Sequence, residues 1–290
     1  MRSIGNPFGL LYTSSTGKAS YFSNCFTNLS VNYEEGVNKL KRQGVLNAFQ
    51  LKLIALVTMT IDHTAGALGY DELGKFYRPM RNLGRMAFPI YCFLLVEGYL
   101  HTRNVNRYLW RLMIAFALSE LPFDLALYRK LPAPRANVML TLLLGLLTVL
   151  LLDRSGAFPL RREEDSEQPM RPALCRFLVF AGMGAAFLLQ TDYRGGGVLL
   201  IVLFYLFRGQ FWALWTMIPP VLLIFYNPYE LWGACALLLV ALYNGEPGPR
   251  PGGKAGQWFF YLYYPLHLGL LAVIRTVVFH VPMEVFGVPV

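Results

Sequence analysis

The chain has 290 residues, of which 55% are hydrophobic, 15% aromatic and only 15% charged, whereas a soluble domain carries about 25% charged residues. That deficit excludes a single water-facing domain, because the apolar residues gather in uncharged blocks such as 138–152 and 198–207. The net charge of +9 does not point to nucleic acid: Lys and Arg fall mainly between the blocks, as membrane topology requires, and no basic stripe is interleaved with aromatics.

Backbone polar groups cannot go unsatisfied in lipid, so spanning segments are helices or a closed barrel. The apolar blocks lack the alternation of barrel strands, so the sequence predicts an all-α polytopic transmembrane helical bundle of about nine spans. Residues 1–45 are polar and rich in Ser and Asn. They lack the apolar core of a secretory signal and read as a cytoplasmic N-terminal extension with a short surface helix over 34–42. Residues 46–290 form the transmembrane domain. The sequon Asn28-Leu29-Ser30 is a tripeptide common by chance and falls in that extension.

The spans are placed at about 48–69, 84–101, 106–128, 137–153, 173–190, 194–208, 211–226, 229–243 and 257–280. The sixth to eighth are shorter than the roughly 20 residues of a perpendicular crossing, so they are either re-entrant or shielded at their ends by neighbours. Lys/Arg bias sets the N-terminus inside, with Lys39, Lys41, Arg103, Arg107, Arg111, Arg161, Arg162, Arg171 and Lys254 on the cytoplasmic face of a bacterial inner membrane. Lys75, Arg78, Arg81, Arg129, Lys130 and Arg135 fall outside. Cys25, Cys92, Cys175 and Cys235 are far apart and show no CxxC spacing, so neither a metal site nor a disulfide framework is implied.

Ionisable side chains at bilayer depth are expensive and are functional candidates by default. Asp62 and His63 lie inside the first span. Adjacent helical positions point about 100° apart, so the pair is either a general base with a nearby carboxylate or a hydrogen-bonded packing pair. The second span carries Arg85, Glu97 and His101. Glu97 and His101 share a face at i, i+4 spacing, and His101 falls at the solvated end. Arg85 is either a snorkelling side chain or a group that stabilises an anion. Ser119-Glu120-Leu121-Pro122-Phe123-Asp124 joins two acids to a helix-kinking proline, with Glu120 facing a cavity or Asp124 solvated at the rim. Thr191-Asp192-Tyr193-Arg194-Gly195-Gly196-Gly197 is a glycine turn, either a surface Asp–Arg pair or a loop whose Arg194 meets an anionic group. Tyr264-Pro265-Leu266-His267 places a histidine beyond a proline inside the last span, where a core histidine bonded to a neighbouring helix is the simpler reading.

Five stretches in order carry a resemblance. They are Lys52…Met59-Thr60-Ile61-Asp62-His63; Gly84-Arg85-Met86-Ala87-Phe88-Pro89-Ile90 with Glu97-Gly98-Tyr99; Glu120-Leu121-Pro122-Phe123-Asp124; Asp192-Tyr193…Gly197-Val198; and Tyr264-Pro265-Leu266-His267. Together they resemble the TraX family of membrane acetyltransferases, and the last also resembles the final helix of the broader membrane acyltransferase superfamily. The resemblance implies catalysis by an early-helix histidine, here His63, with acetyl-CoA as co-substrate and no metal. It implies an amine or hydroxyl acceptor at the outer face, such as a pilin N-terminus, a peptide or a glycan. In that scheme Asp62 sets the imidazole tautomer directly or through a neighbour and Arg85 stabilises the anionic intermediate, while Glu97, Glu120, Asp192, Arg194, Tyr264 and His267 contact substrates. The competing class is a secondary transporter in which Asp62, Glu120 and Arg194 line a permeation path. A non-catalytic membrane scaffold is the third.

Overall fold

The computed structural model describes residues 44–131, 133–158, 171–249, 251–280, 284–285 and 288–289. The helix expected over 34–42, Cys25, the sequon and the loop arginines Arg161 and Arg162 lie outside the described residues.

Each of the nine expected segments is helical, and the chain is an all-α bundle. Its helices are α1 Ala48–Leu68, α2 Tyr77–Gly84, α3 Ala87–His101, α4 Val105–Phe123 and α5 Val138–Arg154. They continue with α6 Pro172–Leu188, α7 Arg194–Leu206, α8 Phe211–Phe225, α9 Pro228–Ala241 and α10 Gly253–Val277. Three helical stretches are long and apolar enough to cross a membrane, Ala48–Leu68, Tyr70–His101 and Gly256–Val277. The stretches α6 to α9 are apolar but shorter, matching the short sixth to eighth spans expected. One element was not expected. The stretch bearing Arg78 and Arg81 is the helix α2, which runs on almost directly into α3, rather than a simple external loop. A small edge pairing also joins Lys130–Leu131 in parallel to Glu284–Val285, which runs antiparallel to Val288–Pro289.

Asparagines set several of the helix starts. Asn47 caps α1 with a reciprocal capping box to Gln50, and Asn104, Asn137 and Asn227 cap α4, α5 and α9 through their side chains. Such a cap stabilises a helix by about 1 kcal/mol by satisfying an orphan N–H. α4 contains Pro122, and a single π-helical turn, Asp124–Tyr128, follows it. A proline removes a donor from the ladder and forces that kind of local rearrangement.

Burial sorts the helices. α3 and α7 are apolar on all sides and buried along most of their length, from Ile90 to Tyr99 and from Gly195 to Tyr205, so they form the centre of the bundle. α6 buries only Ala186 and turns Phe177, Phe180, Phe187 and Leu188 outward, the pattern of a peripheral helix against lipid. The close approach of α2 to α1 depends on Gly84, where an added Cβ would stand 2.2 Å from the Asp62 Cβ. That contact places the ionisable residues of two helices side by side.

Candidate active site

Asp62 and His63 sit near the end of α1, where α4 and α8 also finish and α3, α5 and α7 begin. Their side chains take different partners, as the helical geometry requires. The Asp62 carboxylate accepts from Arg81 Nη1 at 2.8 Å and from Arg85 Nη2 at 2.5 Å. Arg85 donates from Nη1 to Glu230 Oε1 at 2.7 Å and from Nε to the Arg81 carbonyl at 3.2 Å. Two guanidinium groups and two carboxylates thus form a ladder across α1, α2 and α9, neutral overall. Asp62, Arg85 and Glu230 are only 12–13% exposed within it. Ionised groups held out of water need this kind of full pairing.

His63 faces the other way. It is 9% exposed, and its Nδ1 lies 2.7 Å from Nε2 of His267 on α10. His267 Nδ1 in turn lies 2.8 Å from the Tyr263 carbonyl oxygen. A carbonyl can only accept, so His267 carries its hydrogen on Nδ1; with both rings neutral its Nε2 must then accept. His63 therefore donates from Nδ1, and its Nε2 keeps the basic lone pair. The expectation of a direct Asp62 contact to the imidazole is corrected: the Asp62 oxygens accept from Arg81 and Arg85, and His267 orients the ring.

A cavity of about 590 Å³ opens beside these residues, lined by Asp62, His63, Arg81, Arg85, Asp192, Arg194, Glu230, Tyr264 and apolar side chains including Met59, Phe88 and Met139. Its wall reaches Phe260, whose ring lies 4.8 Å from Lys52 Nζ near the start of α1. The Gly84–Ile90 and Asp192–Val198 stretches meet here, where Phe88 stacks on Tyr193 with centroids 3.6 Å apart. Tyr226 closes the wall by donating its hydroxyl to the Tyr193 carbonyl at 2.6 Å. Gly197 permits the approach, since a Cβ there would stand 3.1 Å from Phe88 Cζ and 2.5 Å from Thr141 Cγ2 on α5.

Two polar groups on the cavity wall are unspent. The buried Tyr264 hydroxyl has the Val138 N–H beside its oxygen and no acceptor for its proton among the described residues, and the ring packs edge-on to both His63 and His267 at 5.7 Å. Asp192 lies in the turn between α6 and α7, outside the spans. Burial pushes its carboxyl up to about 6, opposed by Arg85 and Arg135 and reinforced by Asp62 and Glu230.

Of the residues singled out in the sequence, Asp62, His63, Arg85, Asp192, Arg194 and Tyr264 line the cavity, and His267 stands directly behind His63. Glu97 and Glu120 do not line it, which corrects their reading as substrate contacts. Glu97 is buried toward the opposite end of α3, where Arg208 binds both of its oxygens, with Nη2 at 2.9 Å from Oε2. The exposed His101 ring lies 2.8 Å from the Glu97 carbonyl. Glu120 accepts from the Asn137 backbone N–H at 3.1 Å and from its side-chain amide at 2.5 Å, which fixes the start of α5. Asp124 is buried rather than solvated at a rim, and accepts from the Ala133 N–H at 3.2 Å. Arg85 is not a snorkelling side chain. Sequence reasoning missed Arg81 and Glu230. Glu230 carried a usable signal, a lone acid in the eighth apolar run; Arg81 read as an ordinary outer-loop charge.

Among the described residues no group of three or more His, Cys, Asp or Glu side chains could hold a metal ion. Fold and site together define a polytopic helical membrane protein with a paired-histidine cavity between its central and peripheral helices. A family model described as TraX protein matches residues 48–275, and the chain belongs to the TraX family. The chain is also similar to the probable fimbrial assembly protein FimC, serogroup H1, of Dichelobacter nodosus, at 29% identity over 248 residues covering 78% of this chain and 94% of that protein. No solved structure matches.

Proposed function

We propose that this protein transfers an acetyl group from acetyl-CoA to an amine or hydroxyl acceptor, with His63 as general base. The observation that carries the reading is the relay from the Tyr263 carbonyl through His267 to His63, which leaves Nε2 of His63 basic beside a cavity. His63 Nε2 takes a proton from the acceptor as its lone pair attacks the thioester carbonyl. The C–S bond breaks, and the imidazolium returns the proton to the departing thiolate. His267 does for the imidazole what a carboxylate does in a catalytic triad, fixing tautomer and orientation.

Arg85 was the expected oxyanion donor; it gives three of its five N–H groups to Asp62, Glu230 and the Arg81 carbonyl, which fixes its position in the ladder. We assign Arg85 to holding the cavity wall. The Tyr264 hydroxyl, whose proton has no acceptor among the described residues, is the donor to the developing oxyanion.

With the N-terminus inside a bacterial inner membrane, the Lys/Arg bias puts the α1 end bearing His63 toward the outside. Lys52 and His63 are eleven residues apart, about 16 Å along a helix. The extension of the cavity wall to Phe260 beneath Lys52 supports a donor that enters from the cytoplasmic face and an acceptor that arrives from the other. The fimbrial-assembly relative favours a pilin or other surface polypeptide as acceptor. The transporter reading loses its line of charges, since Glu120 is tied to Asn137 away from the cavity. Purified protein in nanodiscs should release free thiol from acetyl-CoA in the presence of a peptide acceptor and acetylate that peptide. His63→Ala should abolish both signals while keeping the elution volume of the parent; full activity in that variant removes His63 from the mechanism.

A further inference from the structure

A second cavity of about 500 Å³ adjoins the first, lined by Tyr128, Pro134, Arg135, Phe187, Gln190 and Arg194. Tyr128, Arg135 and Arg194 belong to both, so the two spaces share a wall. Neither Arg135 nor Arg194 forms an ion pair among the described residues, in contrast to Arg81 and Arg85, whose charges are spent on Asp62 and Glu230. Arg194 lies over the Phe187 ring at 5.9 Å. Among the described residues Arg135 has only the Tyr128 hydroxyl as a side-chain partner and feels the Asp192 carboxyl at longer range, so both guanidinium groups keep N–H groups free to face a space of ligand size.

The setting identifies the kind of anion. Phe187 ends α6, the helix that buries only Ala186, and Phe187, Leu188 and Leu189 are 61%, 80% and 53% exposed. This apolar edge runs straight into Gln190, Thr191 and Asp192, where α6 leaves the apolar layer. Two guanidiniums placed beside a lipid-facing apolar edge, at the depth where helices end, match an amphiphile with an anionic head. Guanidinium binds phosphate through paired charge-assisted hydrogen bonds, and basic pockets at that depth hold lipid headgroups.

We propose that the second cavity is a phosphate subsite for an anionic phospholipid headgroup, entered sideways from the bilayer past Phe187 and held by Arg135 and Arg194 beside the first cavity. The assignment does not depend on acetyl transfer, because occupancy is read without turnover.

The test is native mass spectrometry of the detergent-purified full chain titrated with phosphatidylglycerol, with diacylglycerol as the phosphate-free control. Wild type should retain one phosphatidylglycerol and no diacylglycerol. Arg135→Gln with Arg194→Gln should weaken retention at least roughly tenfold, from about 1 kcal/mol per basic residue. Arg194 is exposed and spans no ion pair, so Arg194→Glu alone should fold as the parent does and also lose the lipid. Inorganic phosphate or coenzyme A at the lipid's concentration should not displace it. Equal retention by wild type and both variants overturns the proposal, and displacement by either soluble phosphate overturns the lipid source.

Discussion

His63 on α1 and His267 on α10 stand with ring nitrogens 2.7 Å apart and ring planes within 6° of parallel. With ring centroids 5.0 Å apart, the two imidazoles meet head-on through their nitrogens, and the bond ties the first helix to the last.

The relay predicts an asymmetry between substitutions at His267. Gln at this position can still accept from His63 Nδ1, whereas Phe cannot. His267→Phe should lower kcat by about a hundredfold or more, as loss of the tautomer-setting partner does in triads, and His267→Gln should recover part of it. The check is single-turnover acetylation of a peptide by both variants; equal rates would mean that His267 only packs.

Tyr264→Phe separates stability from activity. The hydroxyl proton has no acceptor to lose and the oxygen has only the Val138 N–H beside it, so Tm should stay close to that of the parent, within the roughly 1 kcal/mol of one ordinary hydrogen bond. Loss of an oxyanion donor should lower kcat by about 100-fold or more, with KM for the acyl donor little changed. Thermal unfolding and steady-state kinetics on the same preparation test both halves, and wild-type kcat would exclude Tyr264 from the chemistry.

The arginine ladder makes Asp62 a structural group as much as a site residue. Asp62→Ala leaves Arg81 unpaired and Arg85 with Glu230 alone, and breaking a mostly buried ion pair costs about 3–5 kcal/mol. The variant should unfold at a clearly lower temperature, and adding Arg81→Gln should restore part of the loss. Unchanged Tm in Asp62→Ala would show that the ladder carries little energy.

Gly84→Ala puts a methyl group 2.2 Å from the Asp62 Cβ, so α2 must back away from α1. Overpacking of this kind costs about 1–3 kcal/mol, and the shift should also widen the Arg85–Asp62 contact. Reduced Tm together with reduced turnover is the expected result; a wild-type Tm would mean that the two helices separate freely.

Asp192 gives a pH signature. Its carboxyl, pushed by burial from the ordinary value of 3.8 up to about 6, holds its proton more tightly in the folded chain than in the unfolded one. Stability from this group is fully present below the unfolded value near 4 and is lost as pH rises through about 6. Asp192→Asn should therefore raise Tm relative to wild type at pH 7 and leave the two proteins alike at pH 4. Melting curves across that range decide it, and a Tm difference that does not change with pH would refute the shift.

The sequence by itself determined the class and outline of this protein. Long uncharged blocks admit only helices in lipid, and their spacing located nine helical segments within a few residues, from Ala48–Leu68 to Gly253–Val277. It also marked His63, Asp62, Arg85, Asp192 and Tyr264, because an ionisable or polar group deep in an apolar run is conspicuous without any coordinates. Tertiary structure alone decided which of these groups meet. Residues 204 positions apart share a hydrogen bond in the His63–His267 pair, and no periodicity along one helix encodes which face of another it will touch. The same holds for Arg85, whose partner Glu230 is 145 residues away, and for Glu97 and Glu120, whose burial looked functional in sequence but serves Arg208 and Asn137. Pairing across helices is a property of packing, set by small contacts such as Gly84 against Asp62, and it separates the residues that can do chemistry from those that hold the bundle.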